Sequence, residues 1–299
     1  MGPIRTNSAE AWLLAARPRT LTGAAVPVMV GLALSFAETH TLSILPATLC
    51  MLFAFCMQID ANFINDYFDC LKGTDREDRL GPKRACAEGW ITLPAMKKGI
   101  LLTTAISCVI GLPLAFIGGW SMILVGILCV VFAFLYTTSL SYLGAGDILV
   151  LVFFGFVPTC ITYFLQTGTI TWESLLAGLV IGLVTDNLLM LNNFRDREQD
   201  RISGKRTIVV RLGENWAKYL YLSIGILATL LCLGFIVTHK WSAALLPWIY
   251  LLIHIKTWKK MVAINYGKEL NLILGESARN IFIFGLLLTL GILLSILFN

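Results

Sequence analysis

Residues 172–206 read WESLLAGLVIGLVTDNLLMLNNFRDREQDRISGKR. From Trp172 to Asn193 the stretch is long and apolar enough to cross a bilayer as one helix, for which about 20 residues suffice. It then turns to charge at Arg195, Asp196, Arg197, Glu198 and Asp200. The same figure occurs half a chain earlier, where apolar residues 43–65 give way to Asn65-Asp66-Tyr67-Phe68-Asp69. Laid over Asn192-Asn193-Phe194-Arg195-Asp196, the two clusters share Asn first, an aromatic third and Asp fifth. A further acid follows each (Asp75, Asp200), then Gly81-Pro82-Lys83-Arg84 and Gly204-Lys205-Arg206. Carboxylates at the end of a membrane helix are costly unless they bind something. Two matching sets imply one site built from two halves.

Working outward, 57% of the 299 residues are hydrophobic and only 14% charged, where soluble domains carry about 25%. The chain therefore reads as an all-α integral membrane protein, a single polytopic domain over 1–299. Nine spans are predicted, at 20–38, 43–65, 98–117, 119–137, 147–166, 172–193, 218–237, 241–256 and 279–298. They are preceded by an amphipathic N-terminal arm (1–20) and interrupted by two hydrophilic cap loops, 66–97 and 194–217. With nine spans, 22 of the 23 basic residues fall on one face and only Lys240 on the other. The positive-inside rule then places the N-terminus and both acidic clusters in the cytoplasm and the C-terminus outside. The expected location is the cell membrane, the inner one where there are two, with the site opening to the cytoplasm. Each cluster ends the second span of a four-span unit, so the pattern predicts a parallel four-helix repeat plus one further helix.

The net charge of +5 follows from the loop bias. No basic stretch interleaved with aromatics stands apart from it, which argues against a nucleic-acid partner. Eight scattered cysteines without a CxxC pair read as buried small hydrophobes. His40, His239 and His254 are too far apart to suggest a metal site. No signal-peptide pattern precedes the first span, which is expected to stay as an anchor.

The chemistry lies in the acids. Asp66 and Asp69 are three apart and Asp196 and Asp200 four apart, spacings that share a helix face. Hard oxygen ligands suit Mg²⁺, which takes one or two carboxylates and completes its shell with substrate phosphate oxygens. Two sets facing each other fit a pair of Mg²⁺ ions, with Asn65 beside the acids, and a diphosphate between them. Lys83, Arg84, Arg201, Lys205 and Arg206 supply positive charge to that diphosphate, and Asn62, Asn65, Asn192 and Asn193 supply neutral hydrogen bonds. A diphosphate at the mouth of an apolar cavity implies a lipid diphosphate, most simply a polyprenyl one, and an allylic cation shielded from water by the membrane. Asp60 and Asp186 lie within spans, where an acid needs a partner or a cavity. Asp147 reads as a helix cap, and Asp75, Glu77 and Asp78 as loop charge.

At these residues the chain resembles the UbiA superfamily of intramembrane aromatic prenyltransferases. Asn65-Asp66-x-x-Asp69 and Asp196-x-x-x-Asp200 match the two family signatures. The family's next acid in the first motif falls at Gly73, two residues before Asp75. Arg17-Pro18-Arg19-Thr20-Leu21, Lys72-Gly73-x-Asp75, Tyr163-x-x-Gln166-x-Gly168 and Gly204-Lys205-Arg206-Thr207 are similar to the branch acting on 1,4-dihydroxy-2-naphthoate in menaquinone synthesis. The resemblance covers most of 15–215. It implies nine helices around a central cavity, Mg²⁺ dependence, and Tyr136 near the prenyl diphosphate. It also implies transfer of the polyprenyl group to dihydroxynaphthoate with loss of diphosphate and CO₂, giving demethylmenaquinone. The loop Tyr136–Gly146 departs from that branch's Gly-Pro-rich form, which leaves other acceptors open: 4-hydroxybenzoate, homogentisate or haem. A transporter is the alternative from another class; its acids belong at midplane helix breaks.

Overall fold

The computed structural model describes residues 4–73 and 79–297, and among these the fold is helical throughout. A short α1 (Ala9–Ala16) leads through a 3₁₀ turn into α2 (Leu21–Thr39), α3 (Ile44–Leu71), α4 (Leu93–Gly118) and α5 (Ser121–Leu135). The chain goes on through a π-helical stretch, Tyr136–Leu140, to a turn at Gly144. Next come α6 (Gly146–Val150), a second π-helical stretch (Leu151–Phe156) and α7 (Val157–Thr167), one continuous rod. The remainder is α8 (Trp172–Ile202), α9 (Ile208–Leu212), α10 (Glu214–Leu231) with a 3₁₀ extension to Thr238, α11 (Trp241–Leu245), α12 (Trp248–Ile264) and α13 (Leu270–Ser295).

Eight of these rods are long and apolar enough to cross a membrane. The expected span at 241–256 is realised differently. Pro247 separates the five-residue α11 from the seventeen-residue α12, which runs on to Ile264. A proline can open a helix but cannot continue the ladder behind it. The two acid-bearing spans also outrun their predicted ends at 65 and 193. Both stay helical through their acids, to Leu71 and Ile202, so the cap segments begin at 72 and 203 rather than at 66 and 194.

The core gathers around α8, whose start is fixed by a capping box between Thr171 and Ser174. Val180, Ile181 and Val184 pack there with Val26 and Val30 of α2, Ala228 of α10, Tyr250 of α12 and Phe284 and Leu288 of α13. By contrast α5 has no buried residue and presents its length to the surroundings. Close approach relies on small residues, as membrane helices do in the absence of a hydrophobic drive between them. A Cβ on Gly31 would meet the Thr159 carbonyl oxygen at 2.6 Å, and one on Gly182 would meet the Cα and O of Leu151 at 3.0 and 3.1 Å.

The acid inside α3 is accounted for within the bundle: Asp60, fully buried, accepts from Thr103 and, at 2.8 Å, from Thr104 of α4. Among the described residues the cysteines form no disulfide. The N-terminal arm is fastened down: Trp12 of α1 stacks edge-on to Phe63 with centroids 5.3 Å apart, while Ala11 and Ala15 are buried.

Candidate active site

The acids sit on the last turns of α3 and α8, and their neighbours come from far along the chain. Asp69 pairs with Arg84 of the segment after α3, at 3.2 Å. Asp196 is gripped from two sides by Arg195, at 2.7 and 2.5 Å. The other arm of that guanidinium reaches Asn271 on α13 at 2.8 Å, and Asn271 donates to the Leu80 carbonyl at 2.7 Å. So the second cluster holds the loop that follows the first. At Gly81 the two meet: a Cβ there would lie 2.8 Å from an Arg195 nitrogen and 3.2 Å from one of Arg79. Any side chain would displace the guanidinium groups.

A second join lies on Tyr142. Lys72 stands 4.2 Å over its ring and Lys205 5.3 Å. Lys72 also donates to the carbonyls of Thr137 and Thr138, at 3.1 and 2.9 Å. Burial pulls the Lys72 ammonium below the usual lysine range; Asp69 raises it and Lys205 lowers it further. Lys205 is 3.7 Å from Asp200. The same contacts order the π-helical stretch, where Thr137 donates to the Asn65 side-chain oxygen. The Tyr136 hydroxyl lies against the start of α6, 4.0 Å from where a Cβ on Gly146 would stand.

Several expected ligands have other duties. Asp66 is 1% exposed, and its two oxygens accept from the backbone N–H groups of Ala85 and Cys86 at 3.0 and 2.9 Å, with Arg17 at 3.8 Å. It therefore pins the 79–91 segment onto α3, with one hydrogen bond from that segment on each oxygen. Asn62 donates to the Ala16 carbonyl and the Thr20 hydroxyl, both at 3.0 Å, which fixes the entry to α2. Lys83 turns outward to Glu88 at 2.6 Å, and Arg201 to Glu198 at 3.0 Å, both largely exposed. Asn192 donates into its own helix, to Leu188 at 3.1 Å. Asn193 is half-buried and Arg206 exposed, the latter joined to Tyr142 through its backbone N–H at 2.9 Å. Asp75, Glu77 and Asp78 lie outside the described residues. Sequence reasoning missed Arg17, Arg79, Lys72, Tyr142, Thr137 and Asn271. Of these only Arg17 and Lys72 had a signal, as members of the Arg17-Pro18-Arg19 and Lys72-Gly73 motifs.

Two half-sites of carboxylates, each neutralised by a guanidinium or ammonium, thus face each other at one end of the bundle. The model of the UbiA prenyltransferase family matches residues 24–269. The chain belongs to that family. The UbiA chain is 36% identical over 234 residues to the 1,4-dihydroxy-2-naphthoate octaprenyltransferase of Escherichia coli K12, covering 75% of each protein. Its fold is similar to that of a UbiA homologue from Aeropyrum pernix K1, with TM-score 0.70, 17% identity, and 93% and 98% of the two chains covered. A UbiA homologue from Archaeoglobus fulgidus, solved with DMAPP and Mg²⁺, gives TM-score 0.63 at 14% identity, over 93% and 98% of the chains. The UbiA protein is accordingly an intramembrane prenyltransferase with several membrane-crossing helices.

Among the described residues no three Asp, Glu, His or Cys side chains converge closely enough to hold a metal alone. The donor chemistry still fits a hard cation. Asn65, Asp69, Asp196 and Asp200 offer only oxygen, and the three acids already hold cationic partners. Mg²⁺ normally takes its remaining ligands from substrate phosphate.

Proposed function

We propose that this enzyme transfers a polyprenyl group from polyprenyl diphosphate to 1,4-dihydroxy-2-naphthoate, with loss of diphosphate and CO₂. The observation that carries the reading is the meeting of the two half-sites at Gly81 and Tyr142, where cationic side chains from both halves of the chain come together. Asn65, Asp69, Asp196 and Asp200 would hold Mg²⁺, as two ions, one for each half. When bound, the ions supply Lewis-acid stabilisation of the charge that gathers on the leaving diphosphate.

The protein's own groups do the rest. Arg84, Arg195 and Lys205, now on the acids, are within reach of diphosphate oxygens, with Arg17, Arg79 and Lys72 around them. Guanidinium forks suit this task because they match phosphate geometry. Asp66 keeps the 79–91 segment over the site, which excludes water from the allylic carbon as the C–O bond weakens. The Tyr136 ring, beside the start of α6, would face the allylic cation as it forms. The transfer moves no electrons to an oxidant, so the product leaves at the quinol level of demethylmenaquinone. The site faces the cytoplasm, with the N-terminus on that side.

Purified protein supplied with one prenyl diphosphate, Mg²⁺ and each acceptor in turn is expected to prenylate dihydroxynaphthoate. Turnover of 4-hydroxybenzoate in its place would overturn the choice of acceptor. Full activity after EDTA treatment would overturn the metal.

A further inference from the structure

A second pair of acids lies deeper in the bundle, and the diphosphate chemistry does not use it. Asp186 of α8 is 4% exposed and its Oδ1 has no hydrogen-bond partner. The Oδ1 of Asp147, on the first turn of α6, is likewise buried and unpartnered, and Asp147 does not cap its helix. A buried acceptor with nothing donating to it is destabilising, and more so when it carries charge. Such a cost in a well-packed bundle points to a missing donor.

Packing brings the two acids face to face. The α6–π–α7 rod touches α8 backbone to backbone: a Cβ on Gly182 meets Leu151, and one on Gly155 would overlap the Gly178 carbonyl. One turn before Leu151 is Asp147, and one turn after Gly182 is Asp186, at the same level where the rods run in opposite directions. Asp186 feels the charge of Asp147. One step further along, Gly146 lies 3.2 Å (from its would-be Cβ) from Leu189 of α8 and 4.0 Å from the Tyr136 hydroxyl. Tyr136 thus stands beside the turn that carries Asp147. Along α8, Asp186 is ten residues before Asp196, about 15 Å at helical rise. A diphosphate, its allylic carbon and an aromatic ring fill that length in series.

We propose that Asp186 and Asp147, with the Tyr136 hydroxyl, form the acceptor end of the site and act as the general base on the acceptor's hydroxyl. This rests on the proposed dihydroxynaphthoate transfer. A carboxylate of the pair takes the O–H proton next to the attacked ring carbon. The C–C bond forms from that carbon to the allylic carbon as the C–O bond breaks, and its electron pair leaves with diphosphate. The ring is then a keto acid whose C–CO₂ bond breaks. The electron pair restores the ring as an enolate, which takes the proton back from the carboxyl. No oxidant and no net proton is needed.

The test uses the full-length enzyme in detergent or membranes, with Mg²⁺ and a prenyl diphosphate. Asp186→Asn and Asp147→Asn are expected to lower kcat for dihydroxynaphthoate by about 100-fold, the usual scale of general-base loss. The KM for prenyl diphosphate and the melting temperature should stay near wild type. In Asp186→Ala, sodium formate is expected to recover at least tenfold of the lost rate, saturably, which a packing role would not allow. Wild-type kcat in both Asn variants would overturn the proposal, as would a loss that formate leaves unrecovered. Failure of the wild-type enzyme to prenylate dihydroxynaphthoate would instead overturn the reading beneath it.

Discussion

Asp66 and Asp69 are three residues apart on one helix face, yet they do opposite work. The first spends both oxygens on the Ala85 and Cys86 amides, while the second meets the guanidinium of Arg84. Removing Asp66 strands two buried N–H groups at about 1–3 kcal/mol each. Asp66→Ala is therefore expected to lower the melting temperature and to open Arg79 and Arg84 to trypsin. Asp69→Ala, Asp196→Ala and Asp200→Ala should melt like wild type and lose transfer by about 100-fold or more. An Asp66→Ala protein that is inactive with an unchanged melting curve and trypsin pattern would return Asp66 to the metal set. Sequence spacing marked both acids but could not separate their roles, because the partner of Asp66 is backbone some twenty residues on, placed by the fold. The outward turn of Lys83 to Glu88 and of Arg201 to Glu198 was hidden for a related reason. Charge in a loop says nothing of which way a long side chain turns.

At the scale of elements, hydropathy found nearly every span but misplaced the ends that matter. The fall in hydropathy near 65 and 193 marks where apolar surroundings stop, whereas the α-helical ladder needs no apolar residues and runs on to Leu71 and Ile202. Pro247 gave a visible reason for the break between α11 and α12; the two π-helical stretches gave none, since their composition is that of any membrane helix. The backbone contact of Gly155 on α8 predicts that Gly155→Ala destabilises the enzyme and lowers its melting temperature. Gly126→Ala on α5, where a Cβ meets nothing within 4 Å, should be neutral or slightly stabilising, since alanine favours helix by up to about 1 kcal/mol. Equal melting temperatures for the two would refute that close packing. Asn271 links Arg195 to the Leu80 carbonyl. Its replacement by Ala should raise the KM for prenyl diphosphate several-fold while leaving kcat nearly unchanged, a pattern of lost ground-state binding visible in steady-state kinetics.

For the molecule as a whole, the order of elements repeats: the second long helix of each set of four, α3 and α8, ends in the acids, and α13 stands alone. By the predicted nine-span topology 22 of the 23 basic residues share the site's face, and the site should then be cytoplasmic. A cysteine placed at His239 is expected to react with a membrane-impermeant maleimide in intact cells, and one at Lys83 only after lysis; the reverse would invert the topology. Lys240, the lone base of the opposite face, is neutralised by Glu173 at 2.7 Å. The wide π-turn at Leu151–Phe156 has a consequence for length. Such a turn accommodates one residue more than an α-turn in the same register. Deleting a residue there would let the rod relax to an ordinary helix of almost the same span. The parts before and after that deletion would keep nearly the same aim, because the lost residue is the one the wide turn had absorbed. A residue deleted between Asp147 and the wide turn would instead swing Asp147 by about 100° around the axis, so that chain could still insert and fold, yet Asp147 would no longer look toward Asp186. In this rod, chain length sets aim more than reach.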